Sequence, residues 1–178
     1  MSKYLTHIKR LKEPDEPLGR FFGIFESIKD KLGPVLVQLP PSLKFDYEVA
    51  DYFFSLLKKS YNFYDFVLEV RHESWLADKA VKLLSKYDIA LVISQSGKGF
   101  PYAEILTSKN IYLRLHGPSK LYDSSYPEES LQELAVKIKE WYKSDHDIWV
   151  FFNNTMNGHG RENAIRLKQI LALNDKVF

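Results

Sequence analysis

The stretch Ile111-Tyr112-Leu113-Arg114-Leu115-His116 is almost continuously apolar until its last residues. A short apolar run of this kind predicts a buried strand, and burial on both faces is typical of parallel strands in α/β proteins. Four further stretches have the same character, at residues 34–39, 66–71, 89–94 and 148–153. The sequence therefore predicts five parallel strands.

Helical periodicity separates these strands. Apolar residues recur at steps of three and four in five segments, which predicts helices over residues 18–32, 49–57, 76–86, 131–142 and 161–171. The alternation indicates right-handed βαβ units, which fit either an open doubly wound sheet or a (β/α) barrel. The glycine-rich first turn of a dinucleotide-binding sheet is missing. Its nearest approach, Gly97-Lys98-Gly99, lacks the G-x-G-x-x-G spacing and predicts a loop.

The composition of the 178 residues narrows the class of protein. With 45% hydrophobic and 27% charged residues, the chain has enough apolar material for a packed core, and we expect a single domain over residues 1–178. A net charge of +2 argues against a dedicated nucleic-acid binder. The absence of cysteine excludes disulfides, thiolate nucleophiles and cysteine metal sites. The apolar runs are too short to cross a bilayer, and we expect a cytoplasmic protein.

Charged side chains interrupt the predicted strands near their ends. Because strand side chains alternate with period two, Glu69 and Arg71 share one face of their strand, and Arg114 and His116 share one face of theirs. In parallel α/β proteins the carboxyl ends of the strands form the edge where ligands bind. The sequence therefore predicts a site at this edge. The alternative is a buried ion-pair network that satisfies only itself.

The residue types indicate the chemistry of such a site. Arg71 and Arg114 can hold a phosphate, sulfate or carboxylate through paired N–H donors. Glu69 and His116 are the candidate acid/base pair, since burial raises the pKa of a carboxyl group and histidine titrates near neutrality. We therefore predict Glu69 and His116 as catalytic residues.

Further polar residues join the predicted binding set. Gln38, Asn153 and Asn154 follow apolar runs and can orient a ligand or stabilise an oxyanion. His72 is included as a binding residue, and Tyr122 is expected to cover the pocket or to stack on a ligand, as is Tyr126. Too few carboxylates and imidazoles converge for a metal site, and the sequence identifies no cofactor.

Six short motifs, in this order, resemble those of the domain of unknown function 72 family, also called YecE-like. They are THIKRL at residues 6–11, VQLPP at 37–41, EVRHESW at 69–75, YLRLHG at 112–117, FFNN at 151–154 and Asn163-Ala164. The resemblance implies a TIM-barrel-like fold, distantly similar to the xylose isomerase and endonuclease IV group. It implies no activity, because none is established for the family.

The resemblance also implies a truncated barrel. Family members begin with two further strand–helix units and a third strand, whereas Met1 here stands just before Thr6. We expect five strands and a stub of a sixth at residues 2–5, in a partial or open barrel. Exposed sheet edges in such a remnant favour a homo-oligomer whose copies complete the sheet.

Two functions follow from these expectations. The first is an enzyme that binds an anionic, phosphorylated small molecule or a nucleic-acid fragment and hydrolyses or isomerises it. The second is a non-catalytic binding or interaction protein, or an inactive truncated member of the family. Nucleic acid is the less favoured ligand, and we expect no membrane association.

Overall fold

The computed structural model describes residues 1–96 and 99–172, and the predicted loop residues Gly97 and Lys98 lie outside them. The chain divides into two compact units. The first unit comprises Met1–Val92 with Ala103–Ser108, and the second comprises the described part of residues 93–102 and 109–178. Each unit contains a three-stranded sheet in which all pairings are parallel. The α/β fold is thus confirmed, and the described residues contain no closed barrel.

The sheet of the first unit has the order β1-β2-β3. Its strands are β1 (Val35–Gln38), β2 (Phe66–Glu69) and β3 (Ala90–Leu91). Its helices are α1 (Asp15–Phe25), α2 (Tyr47–Ser60) and α3 (Asp78–Lys86), with shorter helical turns at Tyr4–Ile8, Glu26–Lys31 and Glu73–Leu76. The central strand β2 is buried at all four positions, as its apolar sequence predicts.

The helices of this unit cover a large apolar core. Phe53, Phe54 and Leu57 of α2 are almost fully buried, and so are Leu84 of α3 and Trp75 of the turn before it. The carboxylate of Asp46 accepts a hydrogen bond from Val49 N at 3.3 Å, which fixes the start of α2. The loop before α2 therefore has a defined conformation.

The predicted strand stub at residues 2–5 is wrong. A helical turn covers Tyr4–Ile8, with Leu5 and Thr6 buried, and Thr6 N bonds to Ser2 O at 3.2 Å. The terminal ammonium of Met1 donates to Leu36 O of β1 at 2.8 Å. The local bond between Thr6 and Ser2 is part of a helical turn, so the segment adds no strand to the sheet.

The predicted strand at residues 89–94 forms two strands instead of one. Ala90–Leu91 pairs with β2, whereas Ile93–Gln95 belongs to the sheet of the second unit. Leu91 N donates to Thr107 Oγ1 at 2.8 Å, and that hydroxyl donates to Ile89 O at 2.6 Å. Because the Thr107 side chain forms hydrogen bonds with Leu91 N and Ile89 O, these groups are not paired with a further strand, and the first sheet ends at β3.

The sheet of the second unit has the order β4-β5-β6. Its strands are β4 (Ile93–Gln95), β5 (Asn110–Leu115) and β6 (Asp147–Phe152), and its helices are α4 (Glu128–Lys143) and α5 (His159–Ile170), the latter preceded by a turn at Met156–Gly158. Both helices pack on the sheet face that carries Ile111, Leu113, Leu115, Val150 and Phe152.

The strand β6 departs from the expected burial on both faces. Its residues alternate between exposed and half-buried, and Trp149 and Phe151 are 36% and 41% exposed. They lie on the face opposite α4 and α5, and β6 is the edge strand of this sheet. Apolar composition therefore did not imply burial here. None of the helices in the described part of the chain combines the length and apolar character that a membrane crossing requires.

Candidate functional site

In the first unit, the predicted residues at the ends of β1 and β2 lie side by side. Gln38 and Glu69 are register partners, and Leu39 N donates to Glu69 O at 2.9 Å. Arg71 Nη2 donates to Glu69 Oε1 at 2.8 Å, with 8% of the Arg71 side chain and none of the Glu69 side chain exposed. This buried ion pair is the contact that the self-satisfying alternative predicts, because each charge compensates the other.

His72, the adjacent predicted residue, caps the helical turn Glu73–Leu76. Its Nδ1 accepts a hydrogen bond from Ser74 N at 3.1 Å and lies 2.9 Å from Ser74 Oγ. Because Nδ1 acts as an acceptor, the neutral ring carries its proton on Nε2. Ser74 Oγ accepts in turn from Phe45 N at 2.8 Å. His72 is therefore connected to the loop before α2.

In the second unit, Arg114 and Asn153 form a contact across neighbouring strands. With the Asn153 amide oriented so that its oxygen faces the guanidinium, Oδ1 accepts from Arg114 Nη2 and, at 3.2 Å, from Nε. Asn153 N also donates to Leu115 O at 2.7 Å, which fixes the residue just after β6. This contact orients the guanidinium through a neutral acceptor.

His116 and Tyr122 meet just beyond β5. His116 is 1% exposed, and its N donates to Gln95 O of β4 at 2.8 Å. Its ring packs edge-to-face against Tyr122 and Phe100, with centroid distances of 5.5 and 5.9 Å. Tyr122 is 39% exposed and donates from its N to His116 O at 2.6 Å. The imidazole is thus buried between two aromatic rings, one of which, that of Tyr122, is partly exposed.

Asn154 lies in a buried amide cluster. Its Nδ2 donates to Ser124 O and to Asn163 Oδ1, both at 2.9 Å. Asn163 also accepts from Tyr126 N at 3.1 Å and donates to Tyr126 O at 3.2 Å. These bonds hold the loop after β5 against α5. A ligand contact by Asn154 stays a prediction.

Tyr126 is buried and stabilises the same loop, so it is not an exposed residue that covers a pocket. It is 5% exposed, and its hydroxyl accepts from Gly117 N at 3.1 Å. Desolvation raises the pKa of Tyr126 to about 12, against a smaller lowering by the hydrogen bond from Gly117. Gly117 has a φ of +109°, and a Cβ there would lie 2.6 Å from Lys120 O. Only glycine fits this turn.

Two residues near the predicted site were missed as functional candidates. Phe100 belongs to the segment between β4 and β5 and gives no periodic signal, so its packing on His116 was not predictable. Asn163 appeared only within a family motif, although a polar residue on the buried face of a predicted helix is itself a signal. Among residues 1–96 and 99–172, no group of three or more His, Cys, Asp and Glu side chains is arranged to hold a metal.

The chain resembles proteins of one family. A family model described as "Protein of unknown function DUF72" matches residues 1–178. The crystal structure of a DUF72 family protein from Thermotoga maritima has a TM-score of 0.82 and 30% identity, with 96% of this chain and 71% of that protein covered.

Two crystal structures of a DUF72 family protein from Enterococcus faecalis show the same fold at lower identity. Their TM-scores are 0.71 and 0.69 at 21% and 20% identity, with 85% of this chain and 62% and 64% of those chains covered. This chain therefore spans less than two thirds of the Enterococcus protein. No match was found among curated proteins.

Proposed function

We propose that this chain, which belongs to the DUF72 family of proteins of unknown function, binds a phosphorylated small molecule at the carboxyl ends of β5 and β6. The observation that carries the proposal is the contact between Arg114 and Asn153. A guanidinium whose orientation is fixed by a neutral amide can direct N–H donors at an anion. His116 and Tyr122 lie at the end of the same strand.

The polar residues at the two sheets contribute differently to this proposal. Arg71 bonds Glu69 within the fold, and the proposal therefore assigns the anion to Arg114, whose guanidinium Asn153 orients. Gln38, His72 and Asn154 remain proposed binding residues. Glu69 and His116 remain the proposed groups for proton transfer, each at the carboxyl end of its own sheet. The proposed reaction is hydrolysis or isomerisation of the bound ligand.

Non-catalytic binding is the second candidate function. The observation that favours it is the buried Glu69–Arg71 pair, because a carboxylate held by an arginine is a common structural element. A site that binds an anion through Arg114 and lacks an acid/base partner is a binding module. Measurement of turnover separates the two functions.

The architectural expectations also belong to the proposal. We propose a partial (β/α) barrel over residues 1–178 as one cytoplasmic domain, with a second copy completing the sheet. Support comes from β6, whose Trp149 and Phe151 are exposed on an edge strand. Such an edge offers unpaired backbone groups beside apolar side chains. The solution mass measured by light scattering tests this assembly.

The test of the function uses glucose 6-phosphate and a short single-stranded oligonucleotide as probes. Arg114→Met weakens binding of glucose 6-phosphate by about tenfold or more, because a charge-assisted contact is lost. Arg161→Met, which removes an exposed arginine of the same unit, leaves the affinity unchanged. Calorimetric titration measures both.

The outcomes have distinct meanings. Turnover by the native protein that His116→Asn abolishes supports the enzyme, whereas binding without turnover supports the binding module. If the oligonucleotide binds more tightly than glucose 6-phosphate, and its affinity falls steeply with salt, then the ligand is a nucleic acid and not a small molecule. Equal affinity of the native protein and the Arg114→Met variant contradicts the proposal.

A further inference from the structure

A groove of about 330 Å³ opens in the first unit, beside the start of α2. Four segments line it: residues 10–12 after the first helical turn, residues 42–46 before α2, Val49 and Ala50 of α2, and Trp75 after β2. Its volume lies in the range of small-molecule sites, which begins at about 300 Å³. None of Gln38, Glu69, Arg71 and His72 lines this groove. It is therefore separate from the residues considered so far.

The charges of the groove are predominantly positive. Arg10, Lys12 and Lys44 line it together with one carboxylate, that of Asp46, so the lining carries two net positive charges. Within the described part of the chain, neither Lys12 nor Lys44 forms an ion pair, and both residues are exposed. Arg10 donates only to a neutral residue, through Nη2 to Ser42 O at 2.8 Å and through Nη1 to Ser42 Oγ at 3.2 Å.

The floor of the groove is apolar. Leu11, Leu43 and Trp75 are buried, at 1%, 8% and 1% exposure. Phe45 is half-buried and packs edge-to-face on Trp75, with ring centroids 5.1 Å apart. A flat apolar group can therefore lie against the half-buried ring of Phe45, with the basic side chains at the rim of the groove.

Hydrogen bonds hold the groove in shape. Trp75 Nε1 donates to Leu43 O at 2.9 Å, and Phe45 N donates to Ser74 Oγ, the hydroxyl that His72 contacts. Together with the bonds of Arg10 to Ser42, these contacts fix the loop before α2 at three points. A preformed site loses little conformational entropy when a ligand binds.

The geometry points to this groove as a binding site for a phosphate monoester that carries an aromatic or similarly flat apolar group. Such a phosphate has a charge between about −1.5 and −2 at neutral pH, which matches the two net positive charges of the lining. The inference stands on residues of the first unit alone and does not depend on Arg114. In this site Lys12, Lys44 and Arg10 bind the phosphate.

The experiment uses phenyl phosphate, inorganic phosphate and benzoate as probes in calorimetric titrations. Phenyl phosphate binds more tightly than either of the others, because only phenyl phosphate combines the dianion with the ring. The double variant Lys12→Met with Lys44→Met weakens this binding by about tenfold or more. Binding also weakens with added salt, because the exposed lysines are screened.

Two controls identify the site. Lys59→Met removes an exposed lysine at the other end of α2 and leaves the affinity for phenyl phosphate unchanged. The proposed function is measured with glucose 6-phosphate on Arg114→Met and this inference with phenyl phosphate on the lysine variant, so that the failure of one is distinguishable from the failure of the other. The indole N–H resonance of Trp75, identified by Trp75→Phe, shifts on titration with phenyl phosphate.

The inference is overturned by any of three results: no binding of phenyl phosphate, equal affinity of the double lysine variant, or benzoate binding as tightly as phenyl phosphate. Because the substituted lysines are exposed, the variants keep the fold, and their unfolding temperatures confirm this. Loss of phenyl phosphate binding in Arg114→Met alone assigns the ligand to the second unit instead.

Discussion

At the carboxyl end of the first sheet, the guanidinium of Arg71 donates to the carboxylate of Glu69. At the carboxyl end of the second sheet, the guanidinium of Arg114 donates to the amide oxygen of Asn153. At the end of each of these strands, an arginine and a second polar residue stand two positions apart in the sequence: Glu69 with Arg71, and Arg114 with His116. Full burial requires the charges of the first pair to compensate each other. Arg114 is only half-buried, and the amide of Asn153 accepts hydrogen bonds from its guanidinium.

This difference teaches that one sequence pattern supports two kinds of polar site. The first is a buried ion pair that stabilises the fold, and the second is the site that we propose for ligand binding. Substitutions on the two sides should therefore differ in what they change: the free energy of unfolding at Glu69, and the affinity for an anion at Arg114.

The largest expected effect is on the first side. Glu69→Ala leaves Arg71 as an uncompensated buried charge and should cost about 3–5 kcal/mol of unfolding free energy. Asn153→Ala, the matched change on the second side, removes one hydrogen-bond acceptor from Arg114 and should cost only about 1–2 kcal/mol. Urea unfolding, followed by circular dichroism, measures both.

The double variant Glu69→Ala with Arg71→Met serves as the control for this contrast. It removes both charges and should recover part of the stability that Glu69→Ala loses. Equal losses of unfolding free energy for Glu69→Ala and Asn153→Ala would contradict the difference in stability between the two sheet ends.

A smaller effect is expected at the turn that supports the second side. Gly117→Ala places a Cβ 2.6 Å from Lys120 O and 2.8 Å from Ser124 Oγ, at a φ of +109°. The strain should cost about 2–3 kcal/mol and disturb the packing of Tyr122 on His116.

Gly158→Ala is the control for this turn. Gly158 has a φ of +81° and no neighbouring atom within 4 Å of a Cβ, so the cost should be only about 1 kcal/mol. Thermal unfolding of the two variants provides the comparison. A loss for Gly117→Ala no larger than for Gly158→Ala would exclude the steric explanation.

The smallest effect concerns pH on the second side. Burial raises the pKa of Tyr126 from 10.0 to about 12, so the folded state favours the neutral phenol. Its contribution to stability is complete below pH 10 and is lost as the pH rises toward 12, by up to about 2 kcal/mol.

Tyr126→Phe isolates this contribution from the other groups that titrate at high pH. The stability difference between the native protein and the variant should fall between pH 10 and pH 12. Urea unfolding at intervals of pH measures it, and a difference that stays constant over this range would contradict the role of Tyr126.

Much of the fold was predictable because local sequence signals matched it. The apolar runs predicted β1, β2, β5 and β6 to within a few residues, and apolar residues at helical spacing predicted the five helices. The wrong predictions arose where nonlocal partners decided the outcome. Thr107 ends the first sheet at β3, and Leu36 of β1 accepts a hydrogen bond from the terminal ammonium of Met1, next to the predicted strand stub.

The candidate site was predictable only in part. Period-two alternation placed Arg114 and His116 correctly at the end of one strand, and it placed Glu69 beside Arg71. It did not reveal that His72 would cap a helical turn, because that bond depends on the backbone conformation of Ser74. Nor did it indicate the groove, whose lining residues come from separate parts of the sequence.

By itself, the sequence determined the α/β class, the parallel strands and the residues at the strand ends, because apolar periodicity is a local property that every residue in a segment shares. Tertiary structure alone decided that Arg71 pairs with Glu69 and that the first sheet ends at β3. It also decided that Arg10, Lys12 and Lys44 line one groove together with apolar residues. Those outcomes depend on distances between segments far apart in the chain, and electrostatic and hydrogen-bond energies follow distance in space and not separation in sequence.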